Sequence, residues 1–216
     1  MRIVFLGPPG VGKGTQAAQL QALLGVPHVS TGNILRAAIQ QEGSPLGREV
    51  RRFVENGRLV PDDLMGDLIA ERLERKDATA GFILDGFPRT LEQVSILEGV
   101  LGRLGMVLDR VLMLVVPETE IVRRLSGRRT CPECGTVFHL ESRPAAVPGV
   151  CDACGSALVQ RADDTEQVIR ERMKVYSDQT LPVADAYRAK GLLVEVDGFG
   201  DVDAVRARLT SGLGRI

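Results

Sequence analysis

The sequence predicts an α/β fold, a parallel sheet of about five strands covered by helices on both faces. Short apolar runs recur near residues 2–6, 26–29, 82–84, 111–116 and 192–196. Helical patterns separate them, and the runs are nearly continuous in apolar residues rather than alternating, as strands buried on both faces are. The 216 residues suit one large domain, or one domain carrying insertions. That length can bury a core of useful size.

Taken in order, Arg2-Ile3-Val4-Phe5-Leu6 is short and β-branched enough for a buried strand, and Gly7-Pro8-Pro9-Gly10 stops it. A helix is expected over about 13–24, with Ala17, Leu20, Leu23 and Leu24 at helical spacing and Gly25 at its end. Val26-Pro27-His28-Val29 is a brief second strand. Residues 61–76 form a helix with Pro61 in the first turn and Asp62-Asp63 behind it, where acids favour the helix dipole. Residues 165–190 form a long helical pattern ended by Gly191, and Pro182 should kink or divide it. Two stretches break the alternation. Residues 31–60 hold two helix-like patterns, interrupted at Gly43-Ser44-Pro45 and Gly57, and residues 128–164 hold the four cysteines and short β-like pieces. Both read as insertions, which leaves a core of residues 1–30, 61–127 and 165–216.

Bulk properties exclude several classes. The net charge of −1 gives no global field for nucleic acid or an anionic membrane. No apolar run of about 18 residues exists to span a bilayer. Only a few apolar residues separate Met1-Arg2 from Gly7, too few for a secretory leader. A cytoplasmic monomer is expected, with small-molecule partners and neither nucleic acid nor membrane, and in that reducing compartment the cysteines should not form disulfides.

Gly7-Pro8-Pro9-Gly10-Val11-Gly12-Lys13-Gly14-Thr15 lies between a strand and a helix, the context of a phosphate-binding P-loop. Glycines let backbone N–H groups converge on phosphate oxygens, the helix start adds positive potential, and Lys13 supplies a point charge. The usual hydroxyl directly after the lysine is replaced by Gly14, with Thr15 next, so direct metal ligation at that place is in doubt. Phe82-Ile83-Leu84-Asp85 is an apolar strand ending in a carboxylate that can orient Mg²⁺ and its waters.

Cys131-Pro132-Glu133-Cys134 and Cys151-Asp152-Ala153-Cys154 are two C-x₂-C pairs separated by sixteen residues, the spacing of a zinc ribbon. Four thiolates close a tetrahedral shell, so the metal is structural. A segment of about 35–40 residues is too small to sustain its own core, and structural zinc contributes roughly 10–16 kcal/mol in such modules. Iron suits the same four sulfurs.

The chain resembles the adenylate kinases. Gly7 to Gln16, Ser30-Thr31-Gly32 with Arg36, Asp85-Gly86-Phe87-Pro88-Arg89-Thr90 with Gln93, Gly127-Arg128-Arg129, and Arg161-Ala162-Asp163-Asp164 occur in that family's order. The resemblance runs from residue 1 to about 200, and the cysteines look like those of its long bacterial type. It implies phosphoryl transfer from MgATP to AMP, giving ADP. It implies that residues 31–60 bind the monophosphate and that 128–164 form a zinc-bearing lid. Family positions put ATP on Gly10, Val11, Gly12, Lys13, Gly14, Thr15, Arg124, Arg128, Val137, Phe138 and Gly200. They put AMP on Thr31, Arg36, Arg58, Leu59, Val60, Gly86, Phe87, Pro88, Arg89, Gln93, Arg161 and Arg172, with Gln93 reading the adenine edge. Lys13, Asp85, Arg89, Arg128, Arg161 and Arg172 would serve catalysis. Asn33 stands where the family usually has Asp, and altered tuning near AMP is expected.

Such a reaction needs little acid–base chemistry, because the acceptor phosphate is mostly ionised at pH 7. His28 and His139 are therefore read as structural. The nearest rival is a kinase for UMP, CMP or GMP. A more distant one is an ATP-switched zinc-ribbon module for nucleic acid, whose basic and aromatic residues are diluted here by Glu133, Glu141 and Asp152.

Overall fold

The computed structural model describes residues 1–214; the last two residues of the expected core lie outside the described residues. Five strands form one parallel sheet: β1 (Arg2–Leu6), β2 (His28–Ser30), β3 (Phe82–Asp85), β4 (Arg110–Val115) and a last strand at Leu193–Asp197. Their order is β2-β3-β1-β4 and then the last strand, so the chain reverses direction of travel across the sheet beside β1. In open α/β sheets, ligands bind at that reversal, beyond the carboxyl ends of the strands.

Both faces of the sheet are buried, for the reason the apolar runs suggest. Val4 and Leu6 of β1, Phe82 and Leu84 of β3, and Val111 and Met113 of β4 point into one core layer. That layer is closed by the helices α4 (Asp62–Leu73), α5 (Leu91–Arg103) and α8 (Leu181–Ala189). Ile3, Phe5, Ile83, Leu112 and Leu114 point the other way, onto α1 (Lys13–Leu24) and α9 (Val202–Gly212). The period of two thus serves two cores at once.

The remaining elements complete the count. Helices α2 (Thr31–Gln40) and α3 (Pro45–Glu55) pack on each other and add no strand to the sheet. Helix α6 (Glu118–Ser126) leads to a separate antiparallel pair, β5 (Arg128–Thr130) and β6 (Val137–His139). Helix α7 (Glu166–Val175) precedes α8, and the last strand is β7.

Several boundaries differ from the expectation. β2 begins at His28 rather than Val26; the Pro27 carbonyl already accepts from Ile83 N–H, but Pro27 has no N–H to return. The helix after Pro61 stops at Leu73, and Lys76–Ala78 form a tighter single turn. The long pattern at 165–190 is divided as Pro182 requires. The widened π-type turn Tyr176–Thr180 absorbs the break, and Pro182 sits in the first turn of α8, where its missing N–H costs nothing. Helix α9 was not anticipated. Asp201 caps it by accepting from Ala204 N–H at 2.8 Å, and Val205 and Leu209 bury its inner face.

Candidate active site

A cleft of about 960 Å³ opens at the carboxyl ends of β1 and β3. Its floor is the loop between β1 and α1. Gly10 has φ 78° there, and a Cβ at that place would stand 2.6 Å from Leu125 Cγ, so only glycine lets the loop pass beneath α6. Helix α1 starts at Lys13 with no side-chain cap, leaving its first N–H groups facing the cleft. Lys13 Nζ folds back to donate to the Gly7 and Pro8 carbonyls at 2.7 and 2.9 Å.

Around this floor the fold gathers cations from distant parts of the chain. Arg36 comes from α2, Arg89 from the loop after β3, Arg128 from β5, Arg161 from the segment after β6, and Arg172 from α7. All five line the same cleft as Lys13 and Asp85. Burial foremost holds Lys13 at about 7; Asp85 raises it in part, and Arg89, Arg172 and Arg128 press it down. Burial likewise pushes Arg36, Arg89, Arg161 and Arg172 below the ordinary arginine range, Arg161 to about 9. Neighbouring guanidiniums add to it, and the nearby carboxylates only partly offset it. Burial would raise Asp85, but the His28 hydrogen bond and the charge of Lys13 prevail and hold its carboxyl below the usual range. The cleft is therefore a place where positive charge is concentrated and under-compensated, which suits a polyanion.

The guanidiniums are held in position. Asp164, with a fully buried side chain, accepts from Arg128 Nε at 2.7 Å and Nη2 at 2.5 Å, a bidentate pair. Arg172 Nη1 reaches Asp163 Oδ2 at 2.8 Å and Asp164 Oδ1 at 3.3 Å. Arg36 Nη2 donates to Asn33 Oδ1 at 2.8 Å, so the amide at that position still orients the arginine without adding a charge. Arg89 Nε donates to the Gly86 carbonyl at 2.8 Å and Arg161 Nε to Thr130 Oγ1 at 2.9 Å. Sequence reading assigned no role to Asp163 and Asp164; two successive acids behind Arg161 were the available sign.

The other expected residues divide into those the cleft exposes and those it does not. Gly10 to Thr15, Val137 and Gly200 line it. Arg124 lies along its wall, held by Glu120 and donating to the Val11 and Gly198 carbonyls at 2.9 and 3.1 Å. Phe138 touches the cleft but packs mainly with Cys131 and Cys151. His28, expected to serve its strand alone, also lines the cleft, because pairing of β2 with β3 brings its Nε2 to 3.4 Å from Asp85 Oδ2. His139 is buried and accepts at Nδ1 from the N–H groups of Glu141 and Ser142, a structural place.

A smaller cavity of about 80 Å³ adjoins the cleft and is lined by Thr31, Arg58, Leu59, Val60, Met65 and Gln93, with Arg36, Arg89 and Arg172 at its mouth. Gly86 must be glycine here, since a Cβ would collide with Thr31 Oγ1. Pro88 lines the main cleft. The Phe87 side chain is fully buried in the core beneath, so any contact of this residue with a nucleotide would come from its backbone. Gln93 lines the small cavity, but its amide is already engaged, with Nε2 donating to Asp62 and Oε1 accepting from Arg89 N–H.

The four cysteines converge. Their sulfurs all lie within 4.8 Å of one another, with Cys131–Cys154 at 3.4 Å and Cys134–Cys151 at 3.5 Å. Two matching turns carry them: Gly135 N–H returns to the Cys131 carbonyl and Gly155 N–H to that of Cys151. The Thr136 hydroxyl and backbone beside Cys134 hold its thiol below the usual range, toward thiolate. Bonds of about 2.3 Å to a tetrahedral centre put sulfurs a little under 4 Å apart, so this donor set fits such an ion.

A glycine loop at a helix start, a carboxylate at the next strand end and converging guanidiniums define a P-loop phosphotransferase that handles polyanionic nucleotides. The chain matches the family model described as Adenylate kinase over residues 5–192. It is 48% identical to the adenylate kinase of Moorella thermoacetica, over 100% of this chain and 99% of that one. It is 46% identical to that of Syntrophobacter fumaroxidans, over 99% and 100%, and 45% identical to that of Archaeoglobus fulgidus, over 100% and 99%. The chain belongs to the adenylate kinase family, whose members are nucleoside monophosphate kinases. Among the described residues no helix is long and apolar enough to cross a membrane.

Proposed function

We propose that this chain transfers the γ-phosphoryl group of MgATP to AMP, reversibly, giving two ADP, as a cytoplasmic monomer. One observation carries the reading: Lys13, Arg36, Arg89, Arg128, Arg161 and Arg172 share a single cleft, where burial disfavours the charge of Lys13, Arg36, Arg89, Arg161 and Arg172. Two facing nucleotides supply the anions such a site lacks. Every one of these cations comes from one chain, so no second copy is needed to complete the site.

The chemistry follows from position. An oxygen of the AMP phosphate, ionised at neutral pH, forms a bond to the γ-phosphorus as the bond to the bridging oxygen of ATP breaks. Lys13 and the N–H groups of Gly10 to Thr15 hold the donor phosphates, with Arg124, Val137, Phe138 and the Gly200 backbone around the donor nucleoside. Thr31, Arg36, Gly86, Arg89 and the segment 58–60 hold AMP, whose base Gln93 reads. Arg128, Arg161 and Arg172 meet the transferred group, where a well-placed arginine is worth about 10³–10⁵ in rate. Mg²⁺ would be held through Asp85, with Thr15 nearby, and when bound it neutralises charge on the β- and γ-oxygens.

Water is the competing acceptor. The cations come from three parts of the chain, which we take as a core (1–30, 61–127 and 165–214), a monophosphate-binding insertion (31–60) and a lid (128–164). Closing of the two smaller parts on the core excludes water and completes the site only when both nucleotides are present. Cys131, Cys134, Cys151 and Cys154 would hold a structural zinc, a closed shell that crosslinks the lid and takes no part in the transfer.

The test is ADP formation from ATP plus AMP, set against ATP alone. Two ADP for each ATP consumed are expected with AMP, and little hydrolysis without it. Equal ATP loss in both mixtures would overturn the reading, as would faster turnover with UMP, CMP or GMP in the same assay.

A further inference from the structure

Asp62 is the first residue of α4, one residue (Pro61) beyond the segment 58–60, and its carboxylate accepts from two neighbours. Oδ1 accepts from Gln93 Nε2 at 2.7 Å and Oδ2 accepts from Thr90 Oγ1 at 3.0 Å. Thr90 Oγ1 in turn accepts from Gln93 N–H at 3.0 Å, and Gln93 Oε1 accepts from Arg89 N–H at 2.7 Å. Gln93 is only 2% exposed, yet it lines the small cavity.

This arrangement settles which end of the amide is which. A carboxylate can only accept and a peptide N–H can only donate, so the NH₂ must face Asp62 and the oxygen must face Arg89. A turned amide would set oxygen against carboxylate and N–H against N–H, two unmet contacts in a nearly dry site. One N–H and one oxygen lone pair of the amide remain free, and the lock fixes their order in space. Adenine and cytosine present an amino donor beside a ring acceptor. Guanine and uracil present an oxo acceptor beside a ring N–H, the reverse order. A freely turning glutamine would serve both kinds.

We propose that Asp62 is a positioning residue that sets base selectivity, by holding the Gln93 amide in the one orientation that accepts an amino-bearing base and rejects an oxo-bearing one. The proposal rests on the reading of Gln93 as the residue facing the acceptor base.

The test is Asp62→Asn, assayed by kcat/KM for AMP, GMP and UMP with MgATP as donor. Asparagine can offer either oxygen or NH₂ to Gln93, so one of the two contacts that forbid the turned amide is lifted and only the Arg89 N–H still opposes it. The preference for AMP over GMP and over UMP should fall by about tenfold, part of the selectivity that buried hydrogen bonds supply, because one of the two locks on the amide is gone. KM for MgATP should stay within about twofold, which a general loosening of the fold would not spare. In the Gln93→Ala background, Asp62→Asn should leave the preference unmoved. An unchanged AMP:GMP ratio in Asp62→Asn, or a ratio indifferent to Gln93→Ala alone, overturns the proposal. Asp62→Ser, whose hydroxyl also accepts or donates, carries the same expectation if the Asn variant does not fold. Failure of the wild type to make ADP from AMP is a separate result, and it strikes the proposed function instead.

Discussion

Lys13 keeps an ammonium where the surroundings disfavour one. Its folded value of about 7 lies below the ordinary 10.5 because of burial first and neighbouring arginines after it. Between those two values the unfolded chain holds a proton that the folded chain has shed. Stability therefore rises with pH across that window, and the cost is fully present below about pH 7. Lys13→Met removes this cost together with the phosphate ligand. The variant is expected to melt at or above the wild-type temperature near pH 7, with the gap closing toward pH 10, while ADP formation falls by orders of magnitude. Melting curves of both proteins across pH check it, and a gap indifferent to pH would refute the assignment. Arg89→Ala tests the transferred charge instead of the ground state. Its guanidinium is half-buried where the cleft and the small cavity meet, so turnover should fall by about 10³ or more, roughly 4 kcal/mol of barrier. A coupled assay with intact folding by circular dichroism reads the result.

At the scale of elements, β5 and β6 form a two-stranded sheet with only a small cluster behind it, in which Cys131 and Cys151 are themselves the core alongside Phe138. Two strands with so little apolar cover are marginal alone, and a metal held by the four cysteines, as proposed, would supply the missing stability. Cys131→Ser with Cys154→Ser should lower the melting temperature by more than it lowers activity in the cold, where the lid can still close on nucleotide. Calorimetry beside a low-temperature assay separates the two, and an unchanged melting point would count against a structural metal. The same elements show what a sequence discloses. The P-loop, the strand into Asp85 and the cysteine pairs were legible because each is local, with its chemistry and its turn residues in one short stretch. The break before α8 was legible because proline acts on its own backbone. Helix α9 was missed although Asp201 and the apolar spacing of Val202, Val205 and Leu209 announce it. Asp62, Asp163 and Asp164 were not legible, because an acid reveals its purpose only once the fold brings its partner near. Asp62 reaches Gln93 across 31 positions and Asp164 reaches Arg128 across 36. Phe87 shows the converse: it lies inside a binding motif while its own side chain serves the core.

For the whole molecule, the cleft makes the stability of the fold depend on anions. Six half-buried cations face each other across the cleft, with Asp85, Asp163 and Asp164 the main carboxylates that offset them. A ligand that binds the folded chain alone stabilises it by about 2.7 kcal/mol at a hundred times its dissociation constant. In a chain of this size each kcal/mol moves the melting temperature by about 2–4 °C. Inorganic tripolyphosphate carries the charge of the nucleotides without their bases. It should therefore raise the melting temperature by roughly 5–10 °C at saturation, while sodium chloride of equal ionic strength should not. The gain should shrink in Arg36→Ala and Arg161→Ala, which remove cations contributed from outside the sheet, and it should persist in Gln93→Ala, which touches only the base. If chloride matched tripolyphosphate, the stabilisation would be general screening of surface charge, and the cleft would not be the anion trap on which phosphoryl transfer here depends.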